Sequence, residues 1–287
     1  PFGGHNWHPM SYSPKTGLAY LSAQEIPFVY GKDRDYQYQH GFWNLGADFS
    51  LAASPEDPGA LKQIGAMIKG RLLAWDPKTN KSAFTIEHPG PWNGGILSTA
   101  GNLLFQGNIA GEFVAYRADN GEKLWSMDSQ TGVVAGPVSY EVDGEQYISV
   151  TVGWGTAFGL IAANKNPVSR VLSFKLGGSA KLPAAMIPQR DIPAPGPSTA
   201  SKEQIDLGRK IYHQNCFMCH GDGAKSGGLV TDLRASSRRD KVELWNDVVR
   251  NGAFAALGMP NFSDVLSEEK TEAVRLYVIE RARAAQP

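Results

Sequence analysis

The chain of 287 residues holds two cysteines, Cys216 and Cys219, in the stretch NCFMCHGDG (215–223), with His220 directly behind them. Two thiols three positions apart at the end of a helix can each reach one vinyl group of a porphyrin and form a thioether. A histidine immediately after the second cysteine then sits beneath the iron. Cys-x-x-Cys-His is the attachment pattern of a c-type haem. Cys216 and Cys219 are therefore expected to anchor haem c, and His220 to ligate its iron. A thiol–disulfide site would want a βαβ context, and a structural zinc would want a second pair of ligands. His213 stands too close to Cys216 to supply one. For the sixth ligand the sequence offers Met259 in NGAFAALGMPNF, where the following proline fixes the loop. Met218 sits between the cysteines and cannot turn back, and Met186 falls in a Pro-rich stretch. The alternative is an open iron with Met259 in the core. His/Met ligation fills both axial positions, raises the reduction potential and describes an electron carrier.

The elements that must hold this motif are helical. SKEQIDLGRKIYHQN opens with Ser201 as N-cap and Gln204 three residues on, a capping box. Ile205, Leu207, Ile211 and Tyr212 then share roughly one face. DKVELWNDVVRNG brings Val242, Leu244, Trp245, Val248 and Val249 to helical spacing. SEEKTEAVRLYVIERARAA starts at Ser267, carries Glu268 and Glu269 in its first turn and ends in arginines, both suited to the helix dipole. Residues 201–287 thus form a small all-α domain whose core is too slight on its own. The porphyrin is expected to complete it.

Residues 1–176 read differently. LLAWDPKTNKSAFTI (72–86) and FVAYRADNGEKLWSM (113–127) match at a constant offset of 41, pairing Ala74 with Ala115, Trp75 with Tyr116, Asn80 with Gly121 and Phe84 with Trp125. A period near forty with several short strands per unit predicts β-propeller blades; an antiparallel sandwich is the alternative. About three blades are visible, and more are needed to close a ring and cover the sheets. The last strand, SRVLSFKL, is expected either to belong here or to complete a blade begun elsewhere in the ring. An insertion at 31–70 interrupts the repeat. It reads as loop with a short helix at ALKQIGAMI, and its aromatics Tyr36, Tyr38, Phe42 and Trp43 read as packing or as a pocket lining, packing being favoured. Residues 177–200 are proline-rich and form an extended linker.

The 42% hydrophobic and 20% charged residues suit a water-soluble globular protein. Zero formal charge without a basic block leaves no electrostatic footprint for nucleic acid. No apolar run is long enough to span a bilayer. The opening PFGGHNWHPM lacks a starting methionine, so the chain reads as the C-terminal part of a longer precursor.

A Gly- and Trp-rich propeller followed by a Pro linker and a haem c motif resembles the quinohaemoprotein alcohol dehydrogenases. The resemblance runs through GGHNWHPMSYSPKTGLAY, PGPWNGGILSTAGNLLFQG, GEKLW, SVTVGWG, CFMCHG and GMPNF. It implies an eight-bladed propeller holding pyrroloquinoline quinone (PQQ) and calcium near its axis, in a periplasmic enzyme. It places Asn6 and Trp7 against the quinone, Ala157 near a PQQ carboxylate, and Trp92 and Asn93 in the pocket. Thr156 stands where the family more often has Gly, which loosens the Ala157 match. The family's catalytic aspartate and calcium ligands belong to the first half of the propeller, upstream of Pro1, so no catalytic base is named; Asp33, Asp35 and Asp48 have nothing to place them at the quinone. The implied reaction takes a small-molecule alcohol to an aldehyde. Its electrons pass through haem c to a soluble acceptor (a cytochrome or blue copper protein) or to membrane ubiquinone. The rival readings are an electron-transfer module with a non-catalytic propeller, subunit I of a membrane-bound dehydrogenase complex, and a PQQ enzyme for a polymer or heterocyclic hydroxyl compound.

Overall fold

Three antiparallel sheets follow one another along the first part of the computed structural model, which describes residues 2–40, 44–55, 57–153, 168–185, 191–226 and 230–286. The first sheet orders β1 (Ser11–Ser13), β2 (Leu18–Glu25), β3 (Lys69–Asp76) and β4 (Lys81–His88) side by side. The second repeats this with β5 (Ile96–Ser98), β6 (Leu103–Gly107), β7 (Glu112–Arg117) and β8 (Lys123–Asp128). The third has β9 (Val138–Val142), β10 (Glu145–Val152) and β11 (Arg170–Phe174), with β10 in the middle. β11 thus pairs with β10, Leu172 opposite Val150, and does not complete a distant blade.

The repeat read from sequence is physical. Ala74 pairs with Phe84 and Ala115 with Trp125, and the register slips by one residue directly after each alanine. Asn80 (φ 57°) and Gly121 (φ 76°) hold the same left-handed turn position, which asparagine tolerates and glycine adopts freely. The sheets stack face to face. Leu18, Tyr20, Leu72 and Ala74 of the first meet Ile96, Leu104, Val114 and Tyr116 of the second. Phe113 of the second meets Ile148, Val150, Val152 and Leu172 of the third. Val138, Tyr140 and Val142 on β9 and Val171 on β11 stay exposed.

The described residues fall into two compact units, the blades with 168–185 forming one and residues 28–55 with 191–286 the other. The boundary therefore runs inside the insertion. Its helix, α1 (Pro58–Met67), capped by Asp57, stays with the blades, and its first half joins the helical unit. Tyr36 and Tyr38 do not pack: both side chains are exposed, Tyr38 by 70%. Phe42 and Trp43 lie outside the described residues. The Pro-rich stretch is anchored within each unit, Gln130 Nε2 donating to the Pro183 carbonyl and Gln286 Nε2 to the Ile192 carbonyl.

In the helical unit, α2 (Lys202–Asn215) opens with the Ser201/Gln204 capping box, and α5 (Glu268–Arg283) is capped by Ser267. They cross at Gly208, where a Cβ would stand 2.0 Å from the Ala273 carbonyl oxygen. Between them and α4 (Val242–Val249) lies a core of Ile211, Tyr212, Trp245, Val249, Phe262 and Val278. Leu207, Val242 and Leu244, expected on buried faces, are instead partly exposed; α2 already uses Gly208, Ile211 and Tyr212 for its contact.

Candidate functional site

The sequence ends α2 where the haem motif begins. Cys216 caps α2 with its amide bonded to the Tyr212 carbonyl, and the single turn α3 (Phe217–His220) follows. The His220 amide bonds back to the Cys216 carbonyl at 2.9 Å, so the two thiols and the imidazole are set by one helical turn. Both cysteines are free thiols, and burial pushes the Cys216 thiol up to about 12. His220 Nδ1 stands 3.3 Å from the Thr231 carbonyl. A carbonyl only accepts, so Nδ1 carries the proton and Nε2 keeps its lone pair for a metal. Burial also pushes this imidazole below its ordinary range, which favours the neutral, ligating form. Gly258 takes a left-handed turn (φ 90°) just before Met259. Cys216, Phe217, Leu233 and Met259 all border the one apolar core. These donors, thiols and apolar borders fit haem c, with Met259 on the same core as the anchor cysteine.

The haem turn is braced from within its unit. Tyr212 Oη donates to the Gly221 carbonyl at 2.5 Å. Asp222 accepts from the Ser54 amide at 2.8 Å and lies 2.7 Å from His213 Nε2. Phe49 rests against Phe217, their centroids 5.8 Å apart. The acids that sequence left unassigned are accounted for in the same way: Asp33 and Asp35 meet Lys210, and Asp48 caps the turn at Phe49–Ala52.

In the blade unit the second group of expected residues gathers on the loops that enter the inner strands. Pro9, before β1, lies against Gly95, before β5, and against Gly136, before β9; a Cβ on either glycine would come within 2.5 to 2.7 Å of the proline ring. Ile96 N donates to the Pro9 carbonyl at 2.9 Å. The end of β2 braces the loops: Gln24 donates to the Phe2 carbonyl and accepts from the Trp92 amide, and Ser22 Oγ donates to the Asn93 carbonyl. Trp92 is held at φ 60°, an unfavourable place for a bulky residue.

These loops place the four described quinone residues differently. Trp7 is 62% exposed, and Asn6 Oδ1 accepts from the Trp7 amide at 3.0 Å. Trp92 and Asn93, expected to line the pocket, are buried. Asn93 spends its amide on the Gly90 carbonyl and the Ile109 amide, so it braces the loop. Ala157 lies outside the described residues. His8, which the sequence reading passed over, stands between the two indoles. Trp7 stacks on it at 4.1 Å, and Trp92 tilts against it at 5.7 Å. His8 is 3% exposed and its Nε2 has no hydrogen-bond partner. The open face of Trp7, backed by His8, fits a flat ligand such as PQQ. Among the described residues no three His, Cys, Asp or Glu side chains gather as a metal set, and no helix is long and apolar enough to cross a membrane.

Comparison with known proteins places both units. The family model described as the glucose/ethanol/alcohol dehydrogenase β-propeller domain matches residues 69–148. The model described as cytochrome c oxidase, cbb3-type, subunit III matches residues 203–278. Quinohemoprotein alcohol dehydrogenase ADH IIB of Pseudomonas putida is 43% identical over 98% of this chain and 40% of its own length. The dehydrogenase subunit of the alcohol dehydrogenase (quinone) of Gluconobacter oxydans (strain 621H) is 40% identical over 98% of this chain and 39% of its own. The solved structure of ADHIIG from Pseudomonas putida HK5 superposes with a TM-score of 0.86 at 37% identity, covering 98% of this chain and 42% of that one. The chain thus spans about two fifths of the length of the relatives it matches. Over that span, from the propeller blades through the cytochrome c domain, it is similar to the C-terminal part of quinohaemoprotein alcohol dehydrogenases.

Proposed function

We propose that the protein to which these residues belong is a periplasmic enzyme that oxidises small-molecule alcohols to aldehydes, with PQQ and calcium in the propeller and haem c in the helical unit. One chain carries both blades that match the alcohol dehydrogenase propeller model and a Cys-x-x-Cys-His turn, and this pairing is the observation that carries the reading. Bound PQQ supplies two-electron oxidation and bound haem c one-electron transfer; each cofactor brings its own chemistry and the protein sets position and electrostatics. Asn6 and Trp7 present an amide and an open indole face to the quinone, with Trp92 and Asn93 holding the loop behind them. Ala157 belongs to the same site by resemblance. Cys216 and Cys219 would anchor the porphyrin, and His220, through Nε2, and Met259 would ligate its iron. The catalytic base and calcium ligands are assigned to the part of the protein outside this chain. The exposed apolar face of the third sheet supports further blades, since such a face is ordinarily covered by its neighbour.

Electrons leave to a soluble cytochrome or blue copper protein, or to membrane ubiquinone. A reading as the dehydrogenase subunit of a membrane-bound complex draws on the Gluconobacter relative, which is named a dehydrogenase subunit.

The test is a visible spectrum of the full-length protein loaded with PQQ and calcium while a primary alcohol is added without other reductant. Haem bands that sharpen to the reduced form support the dehydrogenase. Reduction by dithionite alone, across a broad alcohol panel, sinks the assignment and leaves an electron carrier on a propeller scaffold.

A further inference from the structure

We infer that Asp232 and Arg234 are positioning residues for the haem. Locked to each other, they aim the Thr231 carbonyl at Nδ1 of His220 and so set how strongly that imidazole donates to the iron. The inference rests on the reading of His220 as the haem ligand. Its starting point is the contact between His220 Nδ1 and the Thr231 carbonyl, at 3.3 Å. That is the long edge of a hydrogen bond, so a small tilt of the carbonyl breaks it. The Thr231 carbonyl shares a rigid peptide plane with the Asp232 nitrogen, and its aim therefore follows the Asp232 backbone.

A double lock holds that backbone. Asp232 Oδ1 accepts from the Arg234 amide at 3.1 Å and from Arg234 Nε at 3.0 Å, and Oδ2 accepts from Arg234 Nη2 at 2.8 Å. The carboxylate thus caps the turn at Leu233–Ala235 and also receives the guanidinium as a two-pronged fork, the strong geometry for this pair. Both side chains are largely buried, Asp232 6% and Arg234 14% exposed, and Leu233 between them borders the helical core. On the other side of Thr231, Ser226 Oγ donates to the Val230 carbonyl. A carbonyl fixed on the second nitrogen of a ligating histidine makes the imidazole a stronger donor. Stronger donation favours oxidised iron and holds the reduction potential down.

The test uses the full-length, haem-loaded protein and reads two quantities. One is the haem reduction potential. The other is the solvent exchange of the His220 Nδ1 proton, followed by its hyperfine-shifted NMR signal in the oxidised state. Arg234→Gln removes the fork, and Asp232→Ala removes both fork and cap. Each is expected to raise the potential and to speed the exchange about fivefold or more, the factor that one ordinary hydrogen bond supports. Arg234→Lys keeps the charge without the fork and is expected to fall between parent and Arg234→Gln. Charge alone predicts opposite signs: losing the carboxylate raises the potential, and losing the guanidinium lowers it. Potentials that move in opposite directions, or parent-like exchange in either variant, overturn the inference. If Asp232→Ala does not fold, Arg234→Gln against Arg234→Lys carries the comparison, and a lowered potential or unchanged exchange overturns it. A parent haem that shows no histidine signal of this kind refutes the ligand reading itself, and this inference with it.

Discussion

His213 Nε2 lies 2.7 Å from Asp222 Oδ1, and its Nδ1 lies 2.7 Å from the Arg209 carbonyl. The histidine and the carboxylate thus form a buried hydrogen-bonded pair beside the haem turn. Burial raises the Asp222 carboxyl, but hydrogen bonds from His213 and the Ser54 amide outweigh it and hold it below the ordinary range. Removing one partner strands the other. Asp222→Asn or His213→Gln is expected to cost about 3–5 kcal/mol, and the double variant less than the sum of the two. Denaturant unfolding of the haem-loaded protein measures all three; strictly additive losses would remove the pair's coupling from the account.

Gly208 sets the crossing of α2 and α5, and two effects of Gly208→Ala oppose each other there. Alanine favours a helix by about 1 kcal/mol. Its Cβ, however, would meet the Ala273 carbonyl oxygen at 2.0 Å and Tyr277 Cβ at 2.9 Å, and a backbone carbonyl inside a helix cannot step aside. Overpacking of this kind costs about 1–3 kcal/mol or more, so the net change is a lower melting temperature. Gly208→Val should fall further. A melting temperature that rises on Gly208→Ala would contradict the close crossing.

His8 makes the blade unit sensitive to acid. An unfolded chain protonates this imidazole near 6.5, and the folded one only near 4. Stability is therefore at its full value above pH 6.5 and is lost as pH falls from about 6.5 towards 4. The loss is on the order of 2 kcal/mol once solvent screening is allowed for. The melting temperature of the parent should fall relative to that of His8→Gln as the pH drops through this range. Parallel curves would show that another group titrates.

Met259→Ala is expected to leave haem attached, because Cys216, Cys219 and His220 are untouched, while lowering its reduction potential, since a methionine ligand raises it. A redox titration followed at the haem bands reads this directly. An unchanged potential would return Met259 to the core it borders.

Much of this was legible in the residues themselves. The offset of 41 placed Ala74 and Ala115, Asn80 and Gly121, and Phe84 and Trp125 at equivalent points, because a bulge and a left-handed turn constrain side-chain type locally. Cys216 to His220 needed only the spacing of a single helical turn. What sequence did not carry is non-local. Nothing in residues 28–55 announces that Ser54 binds Asp222 or that Phe49 meets Phe217, and β11 pairs with β10 across the intervening segment. Asn93 and Trp92 carried the residue types of a pocket, and their burial depends on Gln24 and Ser22 from another hairpin. His8 had one sequence signal, its place directly after Asn6 and Trp7.

The contact between Ser54 and Asp222 spans 168 residues, and it bears on the order in which the molecule can assemble. Helices 201–287 pack mainly on one another, α2 against α5 at Gly208, but the turn that carries the haem cysteines is finished by a segment made far earlier. Such closure is slow compared with helix formation. Segment 28–55 must therefore remain unpaired while the blades after it are synthesised, and the haem turn reaches its final support only at the last stage. A cytochrome fragment cut at the proline-rich stretch would keep its helices and its attachment motif yet lack this support, so the cytochrome part is not a freely transplantable cassette.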